Sequence, residues 1–142
     1  MLFLLDTNIL IAYIRWGLLG HYIEATYNLY TLQPAPIISI VTEGEIRTLA
    51  LRHDWGVVKL AELQRLLNSM TIVPLPYRNV IDAYARIDHH CVRNGLTVGK
   101  NDLWIAATAQ VTGATILTTD HDFDPLHGLF LQRDRVDPAS RL

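Results

Sequence analysis

The sequence predicts an α/β domain built on a parallel sheet with helices on both faces. Two features point there: short apolar runs that read as buried strands, and amphipathic or wholly apolar stretches of helical length that alternate with them. A third is length: 142 residues, half of them apolar, suffice for one domain with a sizeable core.

The elements follow in order. Residues 2–5 (LFLL) form a first strand, and a helix enters from the Asp6-Thr7-Asn8 turn over residues 9–16. Residues 18–32 read as helical, and Tyr13, Trp16, Tyr22, Tyr27 and Tyr30 give these early helices aromatic surface for the core or an interface. Pro34 and Pro36 break the pattern before PIISI, a second strand; Thr42 then opens a helix running to about His53. VVKLAELQRLLNSM is amphipathic at helical period, TIVPL is a third strand, and Asn79 to Asn94 form a helix closed by Gly95. Asn101 or Asp102 caps LWIAATAQV, which is apolar nearly all round and is expected to be buried. ATILT is a fourth strand and GLFLQ a fifth, giving a sheet of four to five strands. The domain is expected over residues 1–132, with a polar tail at 133–142 (RDRVDPASRL).

Composition narrows the function. Twelve Lys plus Arg face fourteen Asp plus Glu, a formal charge of −2, so any nucleic-acid binding is local rather than driven by a global basic field. Cys91 is the only cysteine, which excludes an intrachain disulfide and four-cysteine metal sites and suggests a reducing, cytoplasmic setting. The apolar N-terminus has no basic lead-in, and no apolar run approaches a membrane span, so a chain without leader or membrane contact is expected.

In doubly wound sheets, function gathers beyond the carboxyl ends of the strands where the strand order reverses. Asp6 directly follows the first strand and Asp120 the fourth. Glu45, on the helix after the second strand, shares a face with Val41 and Leu49, whereas Glu43 falls near Arg47 on the opposite side. Asp102 opens the buried helix that leads into the fourth strand. Two unit charges about 5 Å apart at an effective dielectric of about 20 repel by roughly 3 kcal/mol, so four converging carboxylates need a cation or protonation. Hard oxygen donors favour Mg²⁺ or Mn²⁺ over zinc.

Competing constellations fail on spacing. A calcium-binding loop counted from Asp120 has Pro125 and Leu131 where Gly and Glu are required, and consecutive His89, His90 and Cys91 diverge on a helix. A phosphatase of the aspartyl-nucleophile kind has a second Asp where Asn8 stands, and neither a Gly-rich phosphate loop nor a nucleophile elbow is present. A Mg²⁺-binding receiver-like domain, and a non-catalytic RNA-binding domain, remain as alternatives to metal-assisted hydrolysis.

LLDTNIL, SIVTEGEI, NDLWIAATA and LTTDHDF, in this order, resemble the motifs of PIN-domain ribonucleases, particularly the VapC-type toxins of toxin–antitoxin pairs, across nearly the whole chain. The resemblance implies a Mg²⁺- or Mn²⁺-dependent endoribonuclease acting on structured RNA, commonly tRNA or rRNA, with a 5′-phosphate and a 3′-hydroxyl as products. Asp6, Glu45, Asp102 and Asp120 would be its catalytic acids, and Asp6, Asp102 and Asp120, with Asp122, its metal ligands. Glu45 would orient or deprotonate water, Asn8 and Thr118 would order the site, and Arg15, Arg47, Arg52 and Lys100 are the candidates for gripping RNA. It also implies a cognate antitoxin and a homodimer. The second acid of the middle motif, Glu43, leaves the choice of Glu45 to helix phase.

Overall fold

The computed structural model describes residues 1–141. The chain runs β1 (Phe3–Leu5), α1 (Thr7–Arg15), α2 (Leu18–Tyr27), β2 (Ile37–Ser39), α3 (Ile40–Arg52), α4 (Val57–Asn68), β3 (Thr71–Val73), α5 (Val80–Arg93), α6 (Lys100–Thr112), β4 (Thr115–Thr118) and β5 (Gln132–Arg135). All strand pairs are parallel, in the order β3-β2-β1-β4-β5. The order reverses between β1 and β4, where Phe3 lies opposite Thr115 and Leu5 opposite Leu117.

Alternation along each strand sends side chains to two cores. Leu4, Ile37, Val73 and Ile116 pack against α5 and α6 through Ile87, Leu103 and Ala107. Phe3, Leu5, Ile38 and Leu117 pack under α1, α2, α3 and α4 through Ile9, Ile23, Ile46 and Leu66. This makes three layers, and strands buried on both faces read as unbroken apolar runs for that reason. The turn between α1 and α2 is tight because residue 20 is glycine: a Cβ there would lie 2.5 Å from the Ala12 carbonyl oxygen. Tyr13 is buried beneath the same pair and donates its hydroxyl hydrogen to Glu24, while Trp16 and Tyr30 stay partly exposed. Gly113 ends α6 in the left-handed conformation, as a helix C-terminus favours.

Three local expectations are corrected. The helix expected at residues 18–32 ends at Tyr27, where Asn28 takes a left-handed cap. The fifth strand is Gln132–Arg135 and not GLFLQ: it is a sheet edge, tolerant of polar side chains, while Leu131 turns inward and Leu129 is left exposed. The sheet therefore takes in the first residues of the expected polar tail, and Val136 beyond them is buried. Finally, the N-cap of α6 is Gly99, so Asp102 sits inside the first helical turn and does not cap it. Among the described residues no helix is long and apolar enough to cross a membrane.

Candidate active site

Asp6 is the residue at which β1 becomes α1. Its backbone N–H still donates to the Leu117 carbonyl, as a strand residue's would, at 3.0 Å. Its side chain already caps the helix, with Oδ1 accepting the Thr7 N–H at 2.8 Å. Only 5% of the residue is exposed.

The next strand over supplies the partner groups. Thr118, fully buried at the end of β4, donates its hydroxyl hydrogen to Asp6 Oδ2 at 2.8 Å and accepts the Asp120 N–H at 3.3 Å. Asn8 lies between the two acids. Its Oδ1 accepts the Thr119 N–H at 3.0 Å, which fixes the amide orientation and turns Nδ2 toward Asp6 Oδ2 and Asp120 Oδ2, each at 3.1 Å. The Asp122 N–H donates to Asp120 Oδ1 at 3.0 Å. Neutral donors from α1 and β4 thus hold two carboxylates side by side without cancelling their charge.

Glu45 approaches from α3, whose start is set by Ser39: its hydroxyl accepts the Val41 N–H at 3.1 Å. The buried stripe of α3 is Thr42, Ile46 and Ala50. Val41, Glu45 and Leu49 form the next strip, which lines a cavity of about 520 Å³ with Thr7, Asn101 and Arg52. Glu43 turns away and binds Arg47 at 2.7 Å. Helix phase therefore separates the two acids, although the wall of a cavity, and not the core, receives Glu45. Thr7 donates to Glu45 Oε1 at 2.9 Å and Asn101 to Oε2 at 3.4 Å. Neither is marked as a site residue by the sequence: Thr7 lies inside the DTN string, and Asn101 reads only as a helix cap.

Asp102 enters on the first turn of α6. Burial pushes its carboxyl up to about 7, and the charges of Asp6, Asp122 and Asp120 and a hydrogen bond with Asp122 push in the same direction. Burial likewise raises Asp6 to about 6, opposed by its hydrogen bonds from Thr118 and Thr7 and reinforced by the charges of Asp120 and Glu45. Five acids, from the β1–α1 junction, α3, α6 and the loop after β4, are therefore linked through one another's charge. The basic candidates divide differently. Arg52 lines the Glu45 cavity, and Lys100 opens α6 next to Asn101. Arg47 is taken up by Glu43, and Arg15 lines a separate cavity with Trp55 and Lys59.

The donor set is entirely oxygen, and among the described residues none of its carboxylates forms an ion pair, which suits a hard divalent cation. Among the described residues no three His, Cys, Asp or Glu side chains form a ready-made metal cage. His89 is exposed and Cys91 buried, so the rejected zinc grouping has no shared face.

Comparison with known proteins places the fold. The PIN domain model matches residues 3–128. Ribonuclease VapC5 of Mycobacterium tuberculosis is 31% identical over 91 residues, covering 63% of this chain and 67% of that protein. Among solved structures, VapBC2 from Rickettsia felis, bound to a DNA fragment from its promoter, superposes with a TM-score of 0.80 at 23% identity, covering 96% of this chain and 100% of the other. VapBC-5 from Mycobacterium tuberculosis, a member of the VapBC family of toxin–antitoxin systems, gives 0.72 at 27% identity, covering 95% and 98%. The fold, the sequence model and the curated relative converge on one assignment: the chain belongs to the PIN-domain family.

Proposed function

We propose that this chain is a Mg²⁺- or Mn²⁺-dependent endoribonuclease that hydrolyses phosphodiester bonds of structured RNA, tRNA or rRNA, as the toxin of a toxin–antitoxin pair. The observation that carries the reading is that Asp6 and Asp120 share the Asn8 amide, with Thr118 donating to Asp6, while the charges of Glu45, Asp120 and Asp122 act on Asp6 or Asp102, both held well above the ordinary carboxylate range. Two relatives support it: a ribonuclease, and a member of the VapBC family of toxin–antitoxin systems.

In this reading Asp6, Asp102 and Asp120, with Asp122 beside them, hold the cation. Once bound, the ion supplies Lewis acidity, offsetting charge on the phosphate and acidifying water. Glu45 accepts the proton of the attacking water. Its two oxygens are steered by Thr7 and Asn101, so the carboxylate meets the crevice in a fixed orientation. Asn8 and Thr118 keep Asp6 and Asp120 adjacent against their repulsion. No side chain is needed as a nucleophile. A cognate antitoxin, a homodimer and a cytoplasmic location complete the proposal.

The test is cleavage of total tRNA and rRNA by the purified chain in Mn²⁺, with sequencing of the new ends. Discrete cuts bearing 5′-phosphates are expected. Asp6→Asn and Asp120→Asn abolish them, and Glu43→Gln, whose partner is Arg47, retains them. Equal loss from Glu43→Gln contradicts the assignment of Glu45.

A further inference from the structure

The cavity beside Glu45 contains a residue that helix stability does not explain. Gly44 lies inside α3, where glycine is less stabilising than alanine. No close approach requires it, because a Cβ built there would meet nothing within 4 Å. What an added side chain would enter is the cavity itself, since Gly44 is part of its wall. On the same face of α3, seven residues from Glu45 and so about 10 Å along the axis, stands Arg52. It is exposed and makes no ion pair with any described residue. Leu49 lies between the carboxylate and the guanidinium and Val41 one turn to the other side of Glu45, and together they give the wall its apolar part.

We propose that this cavity is a subsite for the nucleotide next to the scissile phosphate. Arg52 forks onto the neighbouring phosphate, the ribose and base lie against Val41 and Leu49, and Gly44 leaves the space open. A negatively charged crevice repels a polyanion, so the strand needs a cation at the edge of the acids, and Arg52 is the one that lines this cavity. The volume, about 520 Å³, is within the range that encloses a small organic ligand. The inference rests on the ribonuclease reading above and adds which wall of the crevice holds the substrate.

The test pairs two substitutions. Gly44→Leu fills the cavity with a side chain that meets no protein atom at its root, so the melting temperature is expected to hold or rise. KM for cleavage of a labelled RNA rises by about tenfold or more, as expected when binding common to ground and transition states is lost. Arg52→Ala, measured for binding of a single-stranded oligoribonucleotide in an Asp120→Asn background, lowers the slope of log Kd against log salt by about 0.7, and Arg52→Lys restores it. Wild-type KM for Gly44→Leu, or an unchanged salt slope for Arg52→Ala, overturns the subsite while leaving the ribonuclease reading intact. If the wild-type chain cuts no RNA in Mn²⁺, both fall together.

Discussion

The loop after β4 holds acids of two kinds only four residues apart. Asp124 is bound by Arg133 Nε and by His121 Nδ1, both at 2.8 Å, and these partners hold its carboxyl below the usual range. Asp120 and Asp122 instead act on Asp102, and Asp120 on Asp6, whose carboxyls are pushed up by burial and by neighbouring carboxylates. The Asp124 cluster carries its own counter-charge. In the crevice the neighbouring groups are amides and hydroxyls, which fix position and leave the charge standing. An acid paired with a base contributes to stability, whereas acids gathered without one cost stability and are retained for what they bind.

That contrast can be attacked directly, and the largest effect lies on the crevice side. Asp102→Asn is expected to lower RNA cleavage by at least about a hundredfold while raising the melting temperature of the metal-free chain near neutral pH, because it removes one of the repelling charges. Activity and stability moving in opposite directions would mark a functional acid; a parallel fall would make Asp102 structural.

The pH dependence follows from the same shifts. Asp6 and Asp102 have folded values of about 6 and about 7 against an unfolded value near 3.8. The folded state therefore binds more protons than the unfolded state across that interval, and stability falls as pH rises through it. Thermal melts of metal-free protein should run several degrees higher at about pH 5.5 than at about pH 7.5. Mn²⁺ should close the gap, adding about 2.7 kcal/mol at a hundredfold excess over its Kd at the higher pH and less at the lower.

A smaller effect is expected at Thr7→Val, which removes the hydroxyl that steers Glu45 Oε1. It should reduce kcat by about tenfold with little change in KM, as for a positioning group whose influence is confined to the chemical step. The smallest belongs to the balanced cluster. Asp124→Asn should leave cleavage unchanged and lower the melting temperature by about 2 °C, since partly exposed ion pairs contribute little. A loss of activity there would erase the distinction between the two groups.

How legible these regions were in the sequence differs for physical reasons. β1, β2 and β4 lie inside the sheet between helix layers and could be read as apolar runs, and β3, at the opposite edge with Thr71 exposed, could be read from its short apolar run and the prolines that end it. The edge strand Gln132–Arg135 has no such requirement and gave no signal. Glu45 could be told from Glu43 because helical periodicity is local. Thr7 and Asn101 as its partners could not, because they reach it from α1 and α6 across gaps of 38 and 56 residues. The start of α6 lies two or three residues before the cap the sequence suggests, because Gly99 begins the helix without any side-chain hydrogen bond and leaves no polar cap to recognise.

The central claim is that the uncompensated crevice binds a divalent cation. Titrating Mn²⁺ into the metal-free chain at about pH 7.5, with free ion followed by its paramagnetic resonance, tests it most directly. Saturable loss of the free-ion signal in the wild type, weakened by Asp102→Asn and untouched by Asp124→Asn, is the predicted result. A wild-type titration that leaves the free-ion signal unchanged, or one that Asp102→Asn does not alter, would contradict it.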